Sequence, residues 1–235
     1  MQPSRTAHTL LWVVYALVGG VHLTAMLTEV EGLQRVTQSL LAPLLIGVVL
    51  TAVPHLTRTS RLMLIGLLCA WCGDFFSQIA PEQVETISAL FFLGALVAYS
   101  CALAPLWRRN RDPMRIALAI PYGGVVIGLF VACADGAGPM LPLVAAYAVA
   151  LAVTAFLSAG GNGLTWSGGT LFLLSSSLLA MTWFLPGAAI LYSTVWVMVT
   201  YIIGQALLVA GLLRALPQRR WATAPAGAAL VIVES

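Results

Sequence analysis

Apolar residues fill the chain in stretches of about 20, separated by short clusters of charge, proline and glycine, and within a stretch polar and apolar positions do not alternate. Stretches of that length can cross a hydrocarbon core about 30 Å thick. Their continuity argues against barrel strands and leaves helices, which satisfy their own backbone groups where no water is present. The pattern predicts an all-α membrane bundle of eight transmembrane helices, over residues 8–27, 38–55, 61–79, 86–107, 114–134, 140–158, 166–185 and 189–216. The breaks are chemically varied. Glu29, Glu31 and Arg35 form the first polar link, Pro81 with Glu82 and Glu85 ends the third helix, and Asn110, Asp112 and Pro113 turn the chain after the fourth. Asp135, Gly136, Gly138 and Pro139 are expected to stop the fifth helix, the run Gly160, Gly161, Asn162 and Gly163 the sixth, and Pro186 with Gly187 the seventh.

Composition agrees with that reading. Hydrophobic residues make up 60% of the chain and charged residues 8%, with a mean hydropathy of +0.97, against roughly 25% charge in a domain that folds in water. The stretch from Thr9 to Leu27 is longer than the apolar core of a signal peptide and no small-residue cleavage motif ends it, so it reads as a retained first helix. One bundle over residues 1–220 is expected, followed by an Ala-rich tail, 221–235, too short to cross the membrane and expected to be disordered.

Charge sets the expected orientation. All eleven basic residues are arginine. If the helices alternate in direction, Arg5, Arg58, Arg61, Arg108, Arg109, Arg111, Arg115, Arg214, Arg219 and Arg220 fall on one side and Arg35 alone on the other. The positive-inside rule makes the arginine-rich side, with both termini, cytoplasmic. The one dense group, at Arg108 to Arg115, then reads as a topogenic loop, not as a surface for nucleic acid.

Few residues remain to carry chemistry. Cys69 and Cys72 spell CxxC inside a predicted helix, with no second pair and no nearby histidine except His55. With Cys101 and Cys133 they read as small buried hydrophobes, and no metal site or cofactor is expected. No phosphate-binding loop, HExxH, dinucleotide fingerprint or nucleophile elbow occurs in a fitting context, which argues against a cofactor enzyme of the soluble type. Asp74 stands out as the one acid well inside an apolar helix. Insertion there costs about 2.5–3.5 kcal/mol, so such a residue ordinarily faces a polar cavity, where a carboxyl suits a general acid or a proton relay. The bland alternative is a carboxyl bonded to a neighbouring helix or snorkelling to the outer surface. Gln38, Tyr201, Gln205 and Ser175, Ser176 and Ser177 fall at similar depth, and Tyr201 and Gln205, four apart, share a helical face. Together they are placed to line one polar pocket open to the outer leaflet; singly, each also reads as an ordinary interhelical hydrogen bond. His22 reads as a structural histidine, His8 and His55 as interfacial, and Trp12, Trp107 and Trp166 as interface anchors. Gly19, Gly20, Gly123, Gly124, Gly128, Gly168 and Gly169 read as points of close helix packing.

Several short motifs occur in a fixed order. Thr37–Leu44 reads TQSLLAPL; Cys72, Gly73, Asp74 and Phe75 follow; Phe91 and Gly94 are spaced FxxG and Val144 and Tyr147 VxxY; Gly168, Phe172, Ser175, Ser176, Leu178 and Ala180 form a cluster; Tyr201 and Gln205 are spaced YxxxQ. In order and spacing, over most of the chain, these resemble the YhhN family of eight-helix membrane proteins, whose characterised members are lysoplasmalogenases. The family's matching segments read TKPLLxPL, GD, FxxG, VxxY, GAxxFxxSDxxLA and YxxxQ. This chain departs at three places: Gln38 stands where the family has lysine, Ser176 where it has aspartate, and Ala102 near the position of a histidine after FxxG.

The resemblance implies hydrolysis of the vinyl ether bond of a lysophospholipid in a bacterial plasma membrane, giving an aldehyde and a glycerophospho head group. Such a bond breaks after protonation at carbon, which needs an acid, and attack by water. Asp74 is then the acid, with Ser176 beside it in the catalytic set and Gln38, Tyr147, Tyr201 and Gln205 holding substrate or water. A serine cannot replace a carboxylate in stabilising positive charge, so two other readings stand beside the enzyme: a non-catalytic lipid-binding or transport protein that keeps the family fold, and a structural membrane partner.

Overall fold

The computed structural model describes residues 5–79, 81–109, 113–185 and 187–216, and every regular element among them is helical. The α-helices are α1 (Arg5–Leu27), α2 (Glu31–Ala52), α3 (Arg58–Ile79), α4 (Val84–Arg109), α5 (Pro113–Ala137), α6 (Leu141–Ser158), α7 (Gly163–Phe184) and α8 (Ser193–Ala215), with short 3-10 turns at Pro81–Gln83 and Gly138–Met140. Seven helical segments are long and apolar enough to cross a membrane, because α5 and α6 lie within one run, Ile120–Ser158. That run is folded back on itself. Its α5 part runs parallel to α7, the Tyr122 hydroxyl meeting Thr170 Oγ1 at 2.6 Å and Cys133 Sγ the Ala180 carbonyl at 3.7 Å. Its α6 part runs antiparallel to α7, Tyr147 meeting Ser176 while Thr165 Oγ1 donates to the Ser158 carbonyl at 2.9 Å.

Several boundaries differ from the sequence pattern by three residues or more, and three of them have a plain local reason. The fifth helix continues through Asp135 and Gly136 and turns at Gly138, whose φ of 48° lies in the left-handed region open to glycine. Gly136 stays helical and serves close approach instead, since a side chain there would run into the Phe184 carbonyl of α7. The second helix begins at Glu31 and not at residue 38. Its charged first turn is compatible with a helix end outside hydrocarbon, Arg35 and Glu31 pairing one turn apart at 3.5 Å, while Gln34 Nε2 donates to the Ala25 carbonyl at 3.0 Å and covers the end of α1. The last helix begins at Ser193 and not at residue 189, after a loop in which Gly187 (φ 77°) and Tyr192 (φ 55°) both adopt left-handed backbone. The predicted tail, 221–235, lies outside the described residues.

The surface is solvated as a membrane protein's must be. Leu10, Leu17, Val131 and Val149 are each at least 60% exposed, a belt of large apolar side chains that water would not tolerate. Since lipid is as apolar as leucine, burial alone does not hold such helices together; close packing and interhelical hydrogen bonds do. Helices α7 and α8 make the most extensive contact, and glycine is the reason. A Cβ on Gly168 would lie 2.5 Å from the Leu208 nitrogen, and one on Gly211 2.5 Å from the Thr165 nitrogen. Asn162 caps α7 and donates from Nδ2 to the Gly211 carbonyl at 2.8 Å, fastening the same pair at its far end. Gly19 and Gly169 also sit against neighbouring helices. A methyl group added at Gly20, Gly123, Gly124 or Gly128 would meet no atom within 4 Å, so these four bring none of the described helices together. The predicted anchors Trp107 and Trp166 join helices as well, Trp107 packing on Phe156 with ring centres 4.3 Å apart and Trp166 Nε1 donating to the Tyr122 hydroxyl at 2.7 Å.

Candidate functional site

Helices α2, α3 and α8 meet at Asp74. The glycine before it lets α3 lie close to α4, because a Cβ on Gly73 would be 3.1 Å from the Phe92 ring. Phe92 in turn meets Tyr201 of α8 edge to face, with ring centres 5.6 Å apart. These contacts bring Tyr201 to the carboxyl: its hydroxyl donates to Asp74 Oδ2 at 2.8 Å, and Gln38 Nε2 of α2 donates to Oδ1 at 2.9 Å. Each carboxyl oxygen therefore accepts one hydrogen bond, and Asp74 is 5% exposed.

Gln38, Asp74 and Tyr201 line a cavity of about 150 Å³. Tyr147 (α6) and Ser176 (α7) also line it, their hydroxyls 3.0 Å apart. Ser175 also borders the cavity and directs its hydroxyl to the Val197 carbonyl at 2.8 Å. Among the described residues, no basic side chain lines this space, and Asp74 has no ion-pair partner. An apolar recess of about 50 Å³ adjoins it between α4, α6 and α7, sharing Ser88, Tyr147, Ser176, Leu179 and Trp183 with the cavity and extending to Ala89, Val144, Ala180 and Phe184. A carboxyl held by two donors, a hydroxyl pair on the same cavity and a greasy annex make a site suited to an amphiphile whose polar part reacts or binds near Asp74.

Five of the six residues singled out from sequence, Gln38, Asp74, Tyr147, Ser176 and Tyr201, border this one cavity. Gln205 does not. It lies one turn along α8 from Tyr201, behind the wall, where its Oε1 accepts from the Tyr99 hydroxyl at 2.9 Å. Ser177 also lies off the wall. His22 is buried away from the cavity; its Nδ1 is 2.8 Å from Thr37 Oγ1, which itself donates to the Leu33 carbonyl at 2.6 Å, so Nδ1 carries the proton and donates. Sequence reasoning missed Tyr99, Ser88, Phe92 and Trp183. Tyr99 left a usable signal, since a tyrosine in the middle of an apolar span must find a partner for its hydroxyl. The others left none. Among the described residues, no group of three His, Cys, Asp or Glu side chains is placed to hold a metal ion.

Comparison with known proteins returned a single kind of match: the family model described as the YhhN family aligns with residues 33–212. No curated protein and no solved structure matches the chain. The aligned span runs from the first turns of α2 almost to the end of α8, and it contains the residues that line the cavity together with Gln205. Most of the chain, and all of the helices that build the Asp74 cavity, are thus covered by one family pattern, and the protein belongs to the YhhN family.

Proposed function

We propose that the protein is a lysoplasmalogenase-like hydrolase that cleaves the vinyl ether bond of a membrane lysophospholipid at Asp74. The observation that carries this reading is the pairing of a buried, doubly hydrogen-bonded carboxyl with an apolar recess that shares five lining residues with its cavity. The chemistry is written for one carboxyl. Protonated Asp74 gives its proton to the β-carbon of the vinyl ether, leaving an oxocarbenium ion and a carboxylate that faces it. Water adds to the cationic carbon and returns a proton to Asp74, forming a hemiacetal. Collapse of the hemiacetal breaks the carbon–oxygen bond to glycerol, the glycerol oxygen takes a proton, and the products are a fatty aldehyde and a glycerophospho head group. Net consumption is one water. Gln38 and Tyr201 steady the carboxylate formed in the first step, as hydrogen bonds to an ion are the stronger kind. Tyr147 and Ser176 are suited to hold the attacking water. The deciding experiment incubates purified protein in detergent with vinyl-ether lysolipids and follows aldehyde and head-group release; absence of release from every such lipid would end this reading.

Ser176 favours a second reading, a lipid-binding or transport protein without turnover, because the family pattern has a carboxylate there. A lipid that stays bound through purification, is lost on changing Asp74, and is never cleaved would select it. The two readings also part on Ser176→Asp. A hydrolase regains a second anion near the oxocarbenium ion and should turn over on the order of tenfold faster, whereas a binding protein gains no turnover.

For the membrane arrangement we infer eight crossings in a bacterial plasma membrane, one bundle over residues 1–220, and both termini cytoplasmic. The antiparallel course of α5 and α6 and the one-sided arginines support it. A reporter active only outside the cytoplasm should work when fused after residue 186 and fail after Gly161; the reverse pattern would overturn the arrangement.

A further inference from the structure

Behind the cavity wall a second layer of polar side chains backs Asp74. Tyr99, in α4 and 1% exposed, donates its hydroxyl proton to Gln205 Oε1 at 2.9 Å. The Gln205 amide, itself buried, lies one helical turn from Tyr201 on the same face of α8, and among the described residues its Nε2 has no hydrogen-bond partner. Tyr201 then donates to Asp74 Oδ2. The fold makes room for Tyr99 at Gly66 of α3, where any side chain would overlap the Tyr99 ring, and holds the ring edge-on to Phe172 with centres 6.4 Å apart. Neither Tyr99 nor Gln205 borders the cavity.

The orphaned Nε2 is informative. A primary amide can turn end for end within nearly the same volume. Turned over, Gln205 would donate from Nε2 to the Tyr99 oxygen and accept from Tyr201 through Oε1, leaving no amide atom unpartnered. The turned state would, however, strand the Tyr99 hydroxyl proton and offer the Tyr201 proton a second acceptor. A phenol has one proton to give, so any share taken by Gln205 is lost to Asp74.

We propose that Tyr99 is a positioning residue for Asp74: by claiming the Gln205 amide oxygen it keeps the Tyr201 hydroxyl bonded to the carboxyl. The proposal treats Asp74 as the working group of the cavity and to that extent rests on the hydrolase reading, but its main test needs no substrate. Infrared difference spectra of the purified full chain, wild type against Asp74→Asn, isolate the carboxyl band of Asp74. Tyr99→Phe removes one oxygen atom and should shift that band. In a Gln205→Leu background, which has no amide to turn, Tyr99→Phe should leave the band unmoved. A band unmoved by Tyr99→Phe in the wild-type background, or moved equally in both backgrounds, overturns the proposal. If Tyr99→Phe does not fold, Gly66→Ala, which crowds the same ring, carries the same comparison in both backgrounds.

In the hydrolysis assay Tyr99→Phe should lower kcat about tenfold with KM unchanged, as expected for weakening one hydrogen bond to an ion. A band shift in a protein that cleaves no vinyl ether defeats the hydrolase and leaves the role of Tyr99 standing. Cleavage without a band shift does the opposite.

Discussion

On the proposed hydrolase reading, Asp74→Asn should remove vinyl-ether cleavage while leaving a folded protein. The amide matches the carboxyl in shape but has no proton acidic enough to transfer to carbon, and it carries no charge to face an oxocarbenium ion. General acid catalysis by a positioned group contributes about 10²- to 10⁴-fold. In this cavity the same side chain is the one acid on the wall among the described residues, so proton delivery and charge stabilisation are lost together, and kcat should fall by about 10³-fold. KM should change little, because the recess lined by Ala89, Val144, Ala180 and Phe184 is untouched. Stability should fall modestly. An Asn side chain can accept from Gln38 or from Tyr201 but presents N–H to the other, leaving one buried donor without its acceptor at about 1–3 kcal/mol. Asp74→Glu keeps the acid and moves it by a methylene, so it should retain folding and lose activity by about 10²-fold through misplacement. Unchanged turnover in Asp74→Asn, measured as aldehyde released per mole of folded protein, would remove Asp74 from the chemistry.

The helices and the central acid were legible in the chain for the same reason: hydrocarbon is an unforgiving solvent. Every span had to be apolar, so a lone Asp74 stood out against it, and the depth expected for Ser176 and Tyr201 was read from their distance to the helix ends. What could not be read was lateral neighbourhood. Tyr99 and Gln205 are 106 residues apart, and their contact depends on how α4 and α8 turn about their axes, which is set where Gly66 admits the Tyr99 ring and Gly204 admits the backbone of α7. Gln205 shares a helical face with Tyr201, yet one turn of α8 carries it from the cavity wall to the layer behind. Glycines were ambiguous in the same way. Gly136 and Gly138 lie two residues apart in one polar break, but one permits a close approach and the other a reversal of the chain. Gly168 and Gly128 are equally plausible packing residues in sequence, and only the first touches a neighbouring helix. The early start of α2 was hidden because a helix end outside hydrocarbon carries the same charged residues as a link.

Gly168→Val should be the most damaging single substitution outside the cavity. Its Cβ would stand 2.5 Å from the Leu208 nitrogen, 2.9 Å from the Gly204 carbonyl oxygen and 3.0 Å from the Leu207 carbonyl carbon, all of them backbone atoms that cannot swing aside as a side chain tip can. The two helices must separate, and in lipid no hydrophobic force draws them back together. Overpacking of this kind costs about 3 kcal/mol, which for a chain of this size lowers the melting midpoint by on the order of 10 °C. Function should fail with it. Moving α8 away from α7 carries Tyr201 with it, strains the Ser175 bond to the Val197 carbonyl, and shifts the Tyr201 hydroxyl from Asp74. Gly128→Ala is the matched comparison: no atom lies within 4 Å of its new methyl group, and alanine favours a helix over glycine by up to about 1 kcal/mol, so its melting midpoint should stay level or rise. Thermal denaturation of the two variants in the same detergent, followed by loss of the monodisperse peak, measures the difference. Equal midpoints would mean that the backbone contact between α7 and α8 does not hold the bundle together, and the placement of Tyr201 against Asp74 would need another cause.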